Sequence, residues 1–294
     1  MQYIRGLSNY NDSGKSAVTF GKFDGLHKGH QKLVKKVREF GEKNKINSIV
    51  CAFDMRPLWE EKGLNPQLLM NGKEQQMHLE GQVDYLIECP FTREFSQIPA
   101  EEFIKDIIKG LFHADYVVVG TDFCFGHDKQ GDIHMLAAYE KECGYDLVVV
   151  EKERYEDRII SSTYVKEVLR TGDMKLASRL LGYPYGLTGI VEHGKKLGRT
   201  LGFPTFNVAW PKAKIAPPNG VYLCDVTSFT YPSRRNAFPP RCPCQYMPSS
   251  LQYCQTFVPA CTWKAVQWSL LFHKRFLHSR IKNSLSTTDS HWSP

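Results

Sequence analysis

The stretch that most constrains the fold is Ala17–His30, which reads A-V-T-F-G-K-F-D-G-L-H-K-G-H. The apolar run Ala17–Phe20 predicts a buried strand that stops at Gly21. From about Gly29 the apolar residues Leu33, Val34, Val37 and Phe40 recur with helical period. A glycine-rich turn that joins a strand to a helix presents backbone N–H groups and a helix N-terminus to an anion. His27 and His30 add imidazole donors that can stabilise negative charge gained in a transition state. Alone, the pair is equally compatible with a metal pair or two surface histidines. The preceding strand and the Phe23-Asp24-Gly25 turn favour a phosphate site.

The following sequence alternates strand and helix. Apolar runs predict strands at Ile46–Phe53, Val83–Glu88, Asp115–Gly120 and Asp146–Val150. Helical patterns occupy Gln31–Asn44, Gly72–Glu80, the stretch from Pro99 to Leu111, and Ile133–Cys143. Continuous apolar strands separated by helices imply α/β architecture, a parallel sheet covered on both faces. Ligands in such sheets bind beyond the carboxyl ends of the strands, so the loops after Phe20, Phe53, Val119 and Val150 are the expected site walls. Helices are expected at Tyr164–Arg170 and Asp173–Leu181. From Gly186 the period becomes strand-like, with Leu187–Glu192 and Val221–Val226 alternating between closely spaced glycines, which is β-barrel patterning. A domain boundary is expected near Tyr183-Pro184.

Past Val226 this patterning stops. Residues 227–294 contain eight Lys and Arg and one acid, Asp289, whereas residues 1–226 hold 30 of each sign. The net charge of +7 therefore belongs to the tail, and a nucleic-acid partner is not expected of the folded body. The nine cysteines are scattered without C-x-x-C spacing, so no zinc site is expected, and Cys51, Cys89 and Cys124, in or beside apolar runs, read as reduced core thiols. With no apolar run of membrane-spanning length and no signal-like start, a cytoplasmic protein without a membrane partner is expected.

The motif G-x-F-D-G-x-H-x-G-H after a first strand resembles the nucleotidyltransferase module of the bacterial bifunctional riboflavin kinase/FAD synthetase family. Three further stretches match that family in order: Gly120-Thr-Asp122-Phe123-Cys-Phe125-Gly126, Ile160-Ser161-Ser162-Thr163-Tyr-Val-Lys166, and Gly189–Asn207, which ends in Pro204-Thr205-Phe-Asn207. Together they cover roughly residues 1–226. The resemblance implies a Rossmann-like HxGH nucleotidyltransferase domain over 1–183, followed by an incomplete riboflavin-kinase-type β-barrel over 184–226. It implies a multifunctional transferase with ATP, FMN and riboflavin as substrates, FAD as product and Mg²⁺ as cofactor. His27 and His30 would be the catalytic residues. Gly21, Phe23, Asp24, Gly25, Gly29, Ser161, Ser162, Thr163 and Lys166 would bind ATP phosphates. Asp122, Phe123 and Phe125 would line the adenine or flavin pocket. Gly194, Gly198, Thr205 and Asn207 would hold Mg-ATP in the kinase domain, with Thr205 and Asn207 as metal ligands.

The residues carry plainer readings beside these. Ser161-Ser162-Thr163 is also an ordinary helix cap, and Phe123 and Phe125 also suit a turn anchored by core aromatics. Lys166 stands where the family pattern has Arg, keeping the charge but losing the bidentate fork. Phe53-Asp54-Met55-Arg56-Pro57 departs from the more usual F-x-P-H-P, leaving Arg56 as either an anion contact or a solvated cation. After Val226 the family's further strands and catalytic glutamate have no counterpart, because residues 227–294 contain no Glu. That tail is expected to be disordered or the product of a shifted reading frame, with kinase activity impaired. A second reading, a non-catalytic flavin or nucleotide binder whose basic tail contacts nucleic acid, is disfavoured by the His27/His30 pair.

Overall fold

The computed structural model describes residues 1–192, 207–220, 222, 224–226 and 253–254. Six parallel strands form the central sheet: β1 (Gln2–Arg5), β2 (Ser16–Gly21), β3 (Asn47–Asp54), β4 (Tyr85–Pro90), β5 (Ala114–Gly120) and β6 (Asp146–Val150), in the order β1-β4-β3-β2-β5-β6. Successive residues of a strand face opposite sides of the sheet. Ala17, Val50, Leu86 and Val118 pack with Leu33, Val34 and Val37 of α1 (Lys28–Asn44) on one face. Val18, Ile49, Ile87 and Val117 pack on the other with Ile104 and Ile108 of α5, which starts at Ala100–Glu102 and runs on as a π-helix over Phe103–Leu111. Leu136 of α6 (Ile133–Cys143) joins that second face. The α/β architecture with both sheet faces covered is thus present.

Chain connections leave β2 toward β3 and β4 on one flank, and β5 leads to β6 on the other. The carboxyl ends of β2 and β5 therefore flank the topological switch point, where ligands bind in open α/β sheets. Gly21 and Gly120 close those two strands.

Between the strands lie α2 (Arg56–Glu61), α3 (Gly72–Leu79) and α4 (Arg93–Ser96). Pro57 lies in the first turn of α2, where no proline N–H is needed. Asn71 and Glu74 form a reciprocal capping box at the start of α3. After β6 a small antiparallel hairpin, β7 (Arg154–Tyr155) and β8 (Arg158–Ile159), leads into α7 (Ser162–Thr171) and α8 (Met174–Leu181). Both helices end on left-handed glycines, Gly172 and Gly182. They form a third core with Leu69, Ile160, Tyr185 and Ile215.

Beyond residue 183 the described residues form two short antiparallel ladders. One joins β9 (Val191–Glu192) to β10 (Asn207–Val208), and the other joins β11 (Cys224–Asp225) to β12 (Tyr253–Cys254). Gly194, Gly198 and Thr205 lie outside the described residues, as does most of the stretch after Val226. Asn207 is half-buried at the start of β10.

Candidate nucleotide-binding site

The turn between β2 and α1 is held in an uncommon backbone shape. Gly25 has φ 83°, and Phe23 and Leu26 also lie in the left-handed region at 48° and 37°. Non-glycine residues pay about 1–3 kcal/mol each for such positions, so the surroundings must over-determine them. They do: Phe23 and Leu26 are buried in the α1-side core, and the carbonyls of Phe23 to Leu26 are all engaged. Gln31 Nε2 donates to Leu26 O at 2.7 Å, Tyr183 OH to Gly25 O at 2.5 Å, Ser162 Oγ to Asp24 O at 2.7 Å and Gln75 Nε2 to Phe23 O at 3.4 Å.

This rigid backbone presents two imidazoles. His27 occupies the N-cap of α1 without making a side-chain cap, and His30 follows in the first turn. Their rings stack at 3.8 Å with an interplanar angle of 20°, and Phe23 stands 5.2 Å from His30. Gly29 allows this fold-back, since a Cβ there would sit 3.2 Å from Cε1 and Nδ1 of His27. Nδ1 of each histidine is buried and has no hydrogen-bond partner. Burial holds His27 down to about 4 and takes His30 well below its ordinary value, with His27 adding to the latter shift. At neutral pH both rings are therefore uncharged, with nitrogen atoms to offer to a ligand.

A second helix N-terminus meets the first. Ser161 caps α7 by accepting Tyr164 N–H at 3.2 Å, which is the plain cap reading of that residue. Ser162 makes the hydrogen bond to Asp24, so the starts of α1 and α7 converge on one turn. Thr163 is exposed in the first turn of α7. Lys166, one turn on, places Nζ 2.6 Å from Asp24 Oδ2, while Asp24 Oδ1 accepts Leu69 N–H at 2.7 Å. Two residues expected on phosphate thus engage each other. Lys22 lies in the same field: burial, Lys129 and Lys166 push its ammonium down, opposed by Asp24.

The turn after β5 differs. Phe125 is buried and Phe123 half-buried, stacked 5.5 Å from Phe125 and 6.2 Å from Phe20. Both belong to the core under α5, which turns Cys124 between them outward: it is exposed and not a core thiol, unlike Cys51 and Cys89. Asp122 is exposed, with Lys152 Nζ 2.7 Å away. Arg56 is exposed, but its guanidinium is already engaged: it forks onto Asp54 at 2.6 and 2.8 Å and reaches Glu88 Oε1 at 3.1 Å. Sequence reasoning missed Gln31, Leu69, Gln75 and Tyr183, whose roles are hydrogen bonds and packing across large sequence separations that no local pattern records. Among the described residues, no group of three or more His, Cys, Asp or Glu is placed to hold a metal ion, and no helix is long and apolar enough to cross a membrane.

A parallel sheet with two helix N-termini and a paired-histidine turn at its switch point defines a nucleotidyltransferase-type domain. FAD synthetase is the family matched by residues 9–164, and riboflavin kinase the one matched by residues 181–258. The kinase match thus runs past Val226, where the sequence pattern alone stops. The chain is 38% identical over 232 residues to the bifunctional riboflavin kinase/FMN adenylyltransferase of Haemophilus influenzae, covering 77% of this chain and 74% of that protein. It is 34% identical to the protein of that name from Escherichia coli K12, covering 77% and 73%. A crystal structure described as a macrolide-efflux protein from Streptococcus pneumoniae superposes with a TM-score of 0.66 at 30% identity, covering 75% of this chain and 73% of that one. The chain belongs to the bifunctional riboflavin kinase/FMN adenylyltransferase family.

Proposed function

We propose that residues 1–183 transfer AMP from ATP to FMN, giving FAD and pyrophosphate. The observation that carries this is the stacked His27/His30 pair, each ring with an unpartnered Nδ1, at the N-terminus of α1. A phosphate oxygen of FMN attacks the α-phosphorus of ATP, the bond to the bridging α–β oxygen breaks, and pyrophosphate leaves. No covalent enzyme intermediate is needed, so the protein's task is positioning and charge stabilisation. His27 and His30 donate N–H groups to ATP phosphate oxygens, and the backbone from Gly21 to Gly29 allows close approach. Lys22 and Lys166 contribute positive charge, with Lys166 exchanging Asp24 for phosphate. Ser162 and Thr163 add the N-terminus of α7. Asp122 borders the adenine or flavin from the neighbouring strand end. Mg²⁺ enters as Mg-ATP.

For residues 184–226 we propose the start of a riboflavin kinase barrel. Thr205 and Asn207 supply hard oxygen donors suited to Mg-ATP, and Gly194 and Gly198 belong to its phosphate loop. Because residues 227–294 contain no glutamate to activate the riboflavin hydroxyl, FMN formation from riboflavin is weak or lost. The free, buried thiols of Cys51 and Cys89 suit a cytoplasmic setting. The test is product analysis of two reactions, FMN with ATP and riboflavin with ATP. FAD in the first and little FMN in the second is the expected result. Absence of FAD in the first refutes the adenylyltransferase reading, and rapid FMN formation in the second refutes the impaired kinase.

A further inference from the structure

The phosphate turn is supported from outside its own domain. Gly25 is pressed against Leu69, where a Cβ would come 2.5 Å from Cδ1, and Asp24 accepts the Leu69 N–H. The same short segment is bridged on its far side to the region matched by riboflavin kinase. Leu68 N donates to Ala213 O at 2.6 Å, and Ile215 N donates to Leu68 O at 2.8 Å. Leu69 and Ile215 are both buried in the third core.

Lys214 lies between those two hydrogen bonds and is only 4% exposed. Its ammonium contacts Glu74 Oε2 at 2.5 Å and stands 4.9 Å over the Tyr185 ring. Glu74 is equally buried, and its carboxylate is fully engaged: Oε2 also accepts Asn71 N–H and Oε1 accepts Thr188 N–H, both at 2.9 Å. One carboxylate thus ties together the first turn of α3, the entry to the second region at Thr188, and Lys214. Burying two charges is a costly way to add stability, since apolar residues of similar volume do as well or better. Its physical advantage is that the pair tolerates one arrangement, because any slip leaves a buried charge unmatched.

We propose that Glu74 and Lys214 are positioning residues for adenylyl transfer. Their ion pair locks segment 213–215 onto Leu68 and Leu69, and Leu69 in turn sets the Asp24–Gly25 turn that presents His27 and His30. The second region is then a brace for the first domain's ATP site, independent of any kinase activity of its own. The proposal rests on the reading of that turn as the site of ATP phosphates.

The test is steady-state FAD formation from FMN and Mg-ATP with the full-length chain carrying K214M, and with the double variant E74Q/K214M, which leaves no lone buried charge. Misplacement of the turn weakens its hold on ATP and the aim of His27 and His30 at the transition state, so the KM for ATP rises about tenfold and kcat per folded molecule falls, while the KM for FMN stays near wild type. A merely structural role gives fewer folded molecules, hence a lower apparent kcat with both KM values unchanged. If K214M does not fold, the double variant decides. A folded variant with a wild-type KM for ATP overturns the brace. Wild-type protein that makes no FAD overturns the reading on which it rests, and the brace with it.

Discussion

The loops after β2 and β5 leave adjacent strands at the same edge of the sheet, yet they distribute their groups in opposite ways. After β2 the backbone is fixed and the two imidazoles are left without partners: the carbonyls of Phe23 to Leu26 are hydrogen-bonded, while Nδ1 of His27 and of His30 has no partner. After β5 the side chains are what is fixed. Phe123 and Phe125 sit in the core, and the exposed carboxylate of Asp122 already has Lys152. A loop whose backbone is held elsewhere can afford unsatisfied donors for a ligand. A loop held by its own side chains offers shape. The first is built for charge stabilisation and the second for a wall.

The largest effect that would break this contrast is on stability. Phe125→Ala opens a cavity under α5 and costs about 3–5 kcal/mol of unfolding free energy. The rate of FAD formation per folded molecule stays near wild type, as measured by denaturant unfolding beside activity at low temperature. His27→Asn should do the reverse. It lowers the rate of FAD formation by about 10²–10³-fold, the usual loss for one transition-state donor, with little loss of stability at pH 7.

A pH series sharpens the same point. His27 is held at about 4 by burial, so the unfolded chain binds the extra proton first as pH falls below about 6.5. Stability present at neutral pH is therefore lost progressively between about pH 6.5 and 4, by about 2 kcal/mol at pH 5. His30 acts in the same direction. Unfolding free energies of His27→Asn should show a shallower decline over that window, and an unchanged slope would place the proton uptake elsewhere. The smallest effect is expected at Asp122→Asn. Its ion pair with Lys152 is exposed and contributes at most about 1 kcal/mol. Unfolding is then barely altered, and FAD formation changes within about threefold; a larger fall would give the carboxylate a direct role in binding.

The sequence made the sheet's centre legible because buried parallel strands are continuous apolar runs. Asp146–Val150 and Ile133–Cys143 match the observed elements residue for residue. It hid β1, whose only buried residue is Ile4, and α2, where Pro57 reads equally as a stop. The hairpin of β7 and β8 is too short to carry a period. In the site, the turn's own residues were legible, since glycine and histidine spacing is local. Their supports were not. Leu69, Tyr183 and Lys214 act through hydrogen bonds, an ion pair and burial between residues far apart in the chain. Lys166 and Asp24 were both read toward phosphate, and only the fold reveals that they face each other.

The most direct test of the account is the protonation of His27 itself, followed by NMR of the imidazole nitrogens with and without Mg-ATP. In the free protein the ring should titrate near 4, neutral at pH 7. With Mg-ATP bound, phosphate oxygens beside the imidazole favour the protonated ring, so its titration should move upward toward or beyond the ordinary histidine value. A His27 titration and nitrogen shifts that Mg-ATP leaves unchanged would contradict the assignment of this turn to the ATP phosphates.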